Sequence, residues 1–175
     1  DLIASRVCMI RLALISDWND AYRDKKSAKV AEACRRIRGV QMVNSCRSLH
    51  ALKSEVGDHY DAVLLDSPLN QQTETALHIL NAGKHLMVCG LPATTAAGVD
   101  QLIASCLQSN VRLMIADTLR LIPSLAVVKK TIETGQVGSP ALLRTHSWLT
   151  PEVPEYQLWQ LVQQLDFASW IFGSQ

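Results

Sequence analysis

The sequence predicts a doubly wound α/β fold with a mostly parallel sheet, and three observations carry that expectation. Short apolar runs alternate with segments of helical periodicity from one end of the chain to the other. One of those runs, Tyr60-Asp61-Ala62-Val63-Leu64-Leu65-Asp66, is almost continuously apolar, as a strand covered on both faces must be. The segments between the runs are long enough to be crossover helices joining parallel strands.

The elements follow in order. Leu12–Ser16 reads as a strand ending at Asp17. A polar helix runs from about Ala21 to Arg38 on a thin stripe of Ala28, Val30, Ala31 and Cys34, and Gly39 closes it. Val40–Val43 is a short strand, and Leu49, Leu52 and Val56 give one face of a short helix stopped by Gly57. After the Tyr60–Asp66 strand, Ser67-Pro68 breaks the ladder, because proline cannot donate to it. Ala76, Leu77 and Leu80 mark the next helix, with Gly83 where a left-handed residue ends it. His85–Val88 is a strand, and Pro92 turns the chain. Val99, Leu102, Ile103 and Cys106 mark a helix ending near Asn110, and Val111–Ala116 is a strand. Pro123 opens a helix carrying Leu125, Val128 and Ile132. The turn from Thr134 to Pro140 leads to a strand over Ala141–Trp148. An elbow at Pro151 and Pro154 precedes a last helix from about Tyr156 to Phe172. The expected division is one domain over 1–150 and the first helix of a second α/β domain over 151–175.

Composition excludes several functions. Seventeen Lys and Arg against sixteen Asp and Glu leave a net charge of +1, which argues against a dedicated phosphate-backbone binder or a basic membrane patch. No apolar run approaches the ~20 residues of a membrane span. The five cysteines, Cys8, Cys34, Cys46, Cys89 and Cys106, form no Cys-x-x-Cys pair, which suits inert thiols in a reducing cytoplasm. His50, His59, His78, His85 and His146 have no metal-ligand or triad spacing, and no serine stands in a G-x-S-x-G elbow. The chain opens on Asp1, without Met or a signal-like segment, and so reads as a piece of something longer.

The middle of the chain resembles a known family. Asp61-Ala62-Val63, Ser67-Pro68, Ala76-Leu77 and Ala82-Gly83-Lys84-His85 are similar, in order and spacing, to D-A-V-x-x-x-[TS]-P, A-L and A-G-K-H in the glucose–fructose oxidoreductase / inositol dehydrogenase / MocA-type family. Arg120-Leu121-Ile122-Pro123 resembles its R-F-x-P, Ile132–Pro140 its I-x-x-G-x-[IV]-G-x-P, and Asp166–Gly173 its D-L-A-x-W-L-x-G. The resemblance runs from about residue 12 to residue 173. It implies a Rossmann-like domain, NAD or NADP as cofactor, and a sugar-like or polyol substrate. It further implies cofactor contacts from Asp17, Ser67, Pro68, Leu69, Cys89, Gly90 and Arg120.

Two registers stay open at the start. In the preferred one, Leu12–Ser16 is the family's second strand, Asp17 is the acid that binds ribose hydroxyls, and the first strand lies upstream. In the other, Leu12–Ser16 is the first strand, and Ser16–Asp24 replaces the glycine turn. Neither supplies G-x-G-x-x-G, which brings backbone close to a pyrophosphate at a helix N-terminus. The plainer role for Asp17 is a helix N-cap.

The chemistry departs further. Where the family carries the lysine of E-K-P, this chain has Cys89-Gly90-Leu91-Pro92, and Lys84 reads as a solvated charge at a helix end. The family's D-x-x-x-H-x-x-D helix appears here with Trp159, Gln163 and Asp166, so only the last acid survives. Gln and Trp cannot exchange a proton near neutral pH. Leu69, Gln72 and Thr118 replace further family residues. The expectation is therefore a divergent, catalytically impaired member. The alternatives are an active oxidoreductase whose glycine turn lies outside this sequence, and a non-enzymatic nucleotide- or protein-binding module. Leu158, Leu161, Val162, Leu165 and Phe172 form one stripe on the last helix. Trp159 and Trp170 lie off it, and an exposed apolar patch is expected around them, met by a partner subunit, a second copy or missing sequence; the alternative is that both fold back under the Pro151–Pro154 elbow.

Overall fold

The computed structural model describes residues 9–139, 141–146 and 154–173, with the side chains of 154–156 left aside. Five parallel strands, β1 (Ile10–Ser16), β2 (Val40–Cys46), β3 (Ala62–Asp66), β4 (His85–Val88) and β5 (Leu113–Ile115), form one sheet in the order β2-β1-β3-β4-β5. Helices α1 (Asp20–Arg36), α2 (Leu49–Val56), α3 (Leu69–Asn81) and α4 (Ala96–Ser109) connect them. The chain is a Rossmann-like α/β fold. It divides into two compact units, one up to Ala116 and one from Asp117. The second holds α5 (Pro123–Glu133) and α6 (Pro154–Phe172). The boundary expected at 150–151 falls in 147–153, outside the described residues.

Alternation along the strands sorts the sheet into two sides. Ala13, Ile15, Val63, Leu65, Leu86 and Val88 are buried in one core with Leu52 of α2, Ile79 and Leu80 of α3 and Leu102 of α4. Leu14, Ser16, Leu64 and Asp66 alternate to the opposite side, the side that α1 reaches with Lys26. The helix ends are closed by local chemistry. Ser48 and Thr95 accept from the backbone N–H three residues on, at the starts of α2 and α4. Asn110 ends α4 at φ +51, and Gly83 follows α3 at φ +71, where a side chain would be strained.

Three expectations are corrected. β1 pairs with β3 residue by residue, from Leu12↔Ala62 to Ser16↔Asp66. A missing first strand would have to lie between them, and the ladder leaves no gap, so the pairing fits the register in which Leu12–Ser16 is itself the central first strand. β2 runs on to Cys46, beyond the expected Val43, because Asn44 and Ser45 pair with Ala13 and Leu14 past an irregularity in the ladder. The expected strand from Ala141 is absent over 141–146: these residues form no ladder, and extended sequence becomes a strand only against a partner. Trp148 lies outside the described residues.

Candidate functional site

In an open α/β sheet, ligands bind beyond the carboxyl ends of the strands where the strand order reverses. Here the reversal falls between β1 and β3, so Ser16-Asp17 and Asp66-Ser67 face each other across it. The two turns are joined by backbone, with the Asp17 N–H donating to the Asp66 carbonyl at 3.2 Å. The start of the next turn is tied in the same way, as the Cys89 N–H donates to the Leu65 carbonyl at 2.8 Å.

Asp66 is the chemical centre of this edge. It is only 5% exposed, and a buried carboxylate needs a counterion. Lys26, two turns into α1, supplies it: Nζ lies 2.5 Å from Asp66 Oδ2 and 3.5 Å from Cys89 Sγ. Burial is the largest single influence and lowers the Lys26 ammonium, but the Asp66 carboxylate together with Cys89 and Tyr22 holds the pKa above the ordinary lysine value. Burial pushes the Cys89 thiol up, against the pull of Lys26, so it is not a thiolate nucleophile near neutral pH. The Gln72 amide donates to the Cys89 carbonyl at 2.9 Å, which gives a buried glutamine a clear structural purpose.

Not every polar atom at this edge is satisfied. Ser16 is 0% and Ser67 8% exposed, and neither hydroxyl oxygen has a hydrogen-bond partner among the described residues. Ser45 Oγ on β2 and one Arg23 guanidinium nitrogen on α1 share that condition. The Tyr60 hydroxyl, just before β3 and away from this edge, is a further such group. Buried hydroxyls are paired in most proteins, so the Ser16 and Ser67 hydroxyls at the strand ends mark a place where a ligand could complete the set.

The α1 N-terminus is occupied by the protein's own groups. Asn19, not Asp17, is the cap, accepting from the Tyr22 N–H at 2.9 Å. Asp20 stands in the first turn and pairs with Arg23 at 2.6 Å and with Arg47, which follows β2. Arg47 holds the Asp20 carboxyl below its ordinary value, so a negative charge sits where a pyrophosphate would need bare N–H groups. The helix start does not fit a pyrophosphate.

The residues expected from the sequence divide by unit. Asp17, Ser67, Pro68, Leu69, Cys89 and Gly90 all lie on the C-terminal edge of the sheet or in the turns leaving it. Pro68 caps α3, Leu69 begins it, and Gly90 takes φ +98. Arg120 belongs to the other unit, where its guanidinium makes a two-pronged bond to Asp166 at 2.8 and 2.6 Å and lies over Trp170. That bond holds the Asp166 carboxyl below the ordinary carboxylate range. Gln163 donates to Asp117 at 3.2 Å. Lys84 is not a solvated charge: it donates to the Asp58 and Tyr60 carbonyls at 3.0 and 2.8 Å and covers the Tyr60 ring. On α6 the exposed row is Leu158, Leu161, Leu165 and Phe172, while Trp159 and Trp170 are half-buried rather than exposed.

Sequence reasoning missed Lys26 and Asp66, and reached Ser16 only as the start of the Ser16–Asp24 turn in the second register. One signal was available for Asp66: an acid ending an otherwise apolar, doubly covered strand demands a cation from elsewhere in the fold.

No family model and no curated protein matches the chain. Solved structures do. One is a probable dehydrogenase from Thermotoga maritima, 20% identical, with a TM-score of 0.75 over 95% of this chain and 56% of that one. The chain has the fold of a dehydrogenase domain. Another match is the WlbA dehydrogenase from Bordetella pertussis, solved with NADH and UDP-GlcNAcA, at 20% identity, TM-score 0.70 and the same coverage. A third is a variant of KijD10, a 3-ketoreductase from Actinomadura kijaniata solved with TDP-benzene and NADP, 19% identical, with a TM-score of 0.61 over 74% of this chain and 44% of that one. The chain spans about half the length of the solved dehydrogenases it matches.

Proposed function

We propose that this chain is a divergent member of the glucose–fructose oxidoreductase / inositol dehydrogenase family, one that has kept a nucleotide-binding type of fold and lost hydride-transfer chemistry. The Asp166–Arg120 pair carries the reading. Of the motif that should hold a proton carrier and its partners, the resemblance leaves Asp166 as the one surviving acid, and Asp166 is tied to a guanidinium that keeps it ionised. Its neighbours at the matching positions, Gln163 and Trp159, cannot carry a proton. Loss of a general acid–base step typically costs a factor of about 10²–10⁴.

NAD or NADP is the cofactor class the reading implies, and a bound dinucleotide would supply hydride transfer. The C-terminal edge with Ser16, Ser67 and Lys26 supports a ligand there, and the α1 N-terminus argues against the usual pyrophosphate contact. The exposed Leu158, Leu161, Leu165 and Phe172 row supports a partner subunit or second copy on α6. No described helix is long and apolar enough to cross a membrane. A cytoplasmic location is part of the same proposal.

Calorimetric titration with NAD, NADH, NADP and NADPH, run beside absorbance assays on a panel of sugars and polyols, tests the reading. The expected result is weak binding, near about 1 mM, and no turnover. Substrate-dependent reduction of the cofactor would overturn the loss of chemistry. Absence of binding at tenfold higher concentration would leave only the protein-binding module.

A further inference from the structure

We propose that the Lys26–Asp66 pair is a latch, and that a phosphate-bearing ligand binds this edge of the sheet by displacing Asp66 from Lys26. The inference rests on the reading above for its ligand class, but it places the phosphate on an α1 side chain rather than on the helix N-terminus.

Three observations meet at Lys26. Its ammonium spans the ends of two neighbouring strands, touching Asp66 at the end of β3 and Cys89 just past β4. It therefore pins the second turn of α1 across the edge where a ligand would enter. It also lines a shallow groove of about 430 Å³ along α1, where Lys25 and Lys29 are further cations. Beside its carboxylate partner, by sheet register, lies the orphan hydroxyl of Ser16, and the orphan hydroxyl of Ser67 belongs to the next residue along the chain.

In the closed form the half-buried ammonium and the buried carboxylate neutralise each other and the two hydroxyls stay unpaired. A phosphate oxygen can take the carboxylate's place on Lys26 and accept from the serines, as charge-assisted hydrogen bonds favour. Asp66 must then leave its buried seat, and that cost is what keeps the unmodified site weak. Anions with more charge than a carboxylate are selected, because they must outcompete one already in place.

Opposite effects of the two partners test the latch. Inorganic pyrophosphate and NADH serve as probes in calorimetric titrations, and thermal melting checks the fold of each variant. D66N removes the competing charge and keeps the shape, and it should bind both probes at least tenfold more tightly than the unmodified protein. K26M removes the cation and should bind neither measurably. A purely structural pair would lower stability in both variants and shift binding in neither. Folded D66N with unchanged or weaker binding overturns the proposal. Should D66N not fold, D66S reads the same quantity. Lysine labelling of the unmodified protein adds a measurement free of substitution: Lys26 should react at least tenfold more slowly than Lys25 and Lys29, and equal rates contradict the latch. Turnover is absent from these readouts, so the latch and the loss of hydride chemistry fail separately.

Discussion

The two ends of one strand pair are built to opposite rules. At the N-terminal end of β1 and β3, Asp61 accepts from the Arg11 backbone N–H at 2.8 Å and from its guanidinium at 3.0 and 2.6 Å. The Asp61 N–H returns a bond to the Arg11 carbonyl at 2.8 Å. At the C-terminal end, Asp66 meets Lys26 among hydroxyls that meet nothing described. Both ends use an acid and a base. One is a completed staple that fixes the register, and the other is an incomplete set that a ligand can finish.

Substitutions sharpen the contrast, and the largest effect belongs to the C-terminal end. K26M leaves the Asp66 carboxylate buried without a counterion and should lower stability by roughly 3–5 kcal/mol in urea denaturation at pH 7. Replacing both partners with apolar residues of similar volume should restore most of that loss. A single variant close to the unmodified protein would show that the ammonium is not what keeps Asp66 buried.

The N-terminal staple predicts a smaller effect with a pH signature. The side chains of Arg11 and Asp61 are 42% and 35% exposed, so solvent screens the pair, and D61N should cost about 1 kcal/mol. Arg11 holds the Asp61 carboxyl down to about 2. Its folded pKa is depressed, so the contribution is complete above the ordinary carboxylate value of 3.8 and is lost as pH falls through 2. Melting curves of the unmodified protein should therefore drop across that window, and those of D61N should drop less.

Cys46 ends β2, which flanks β1 at the sheet edge, and burial pushes its thiol to about 11. Iodoacetamide at pH 8 should label it at least tenfold more slowly in the native protein than in urea. Comparable rates would mean that this end of the sheet opens readily. Smallest of all, L161Q on the exposed row of α6 should change stability by no more than about 0.5 kcal/mol in a thermal melt. That holds for the dilute single chain; at high protein concentration a larger loss is the sign of the second copy proposed for that row.

Most of the fold was legible because it rests on local signals. Apolar periodicity marked the helices, and the left-handed Gly83 and Asn110 marked where two of them stop. β2 was read too short because Asn44 and Ser45 look like loop residues, and only the neighbouring strand keeps them extended. The site was half legible for the same reason. Ser67, Pro68, Leu69, Cys89 and Gly90 could be placed at the C-terminal edge of the sheet because they sit in short contiguous motifs. Lys26 belongs to no motif, and its role arises only when α1 crosses back over the end of β3. Of the two roles open to Asp17, the cap belongs instead to Asn19, and the Asp17 backbone joins the two turns across the strand reversal, where a ribose contact stays a proposal.

Backbone amide chemical shifts followed through a titration with NADH test most directly which end of the strand pair binds. Shifts centred on Ser16, Asp17, Lys26, Asp66, Ser67 and Cys89, with Ile10, Arg11 and Asp61 unmoved, are the predicted result. Shifts centred on Arg11 and Asp61, or none anywhere at saturating millimolar ligand, would contradict it.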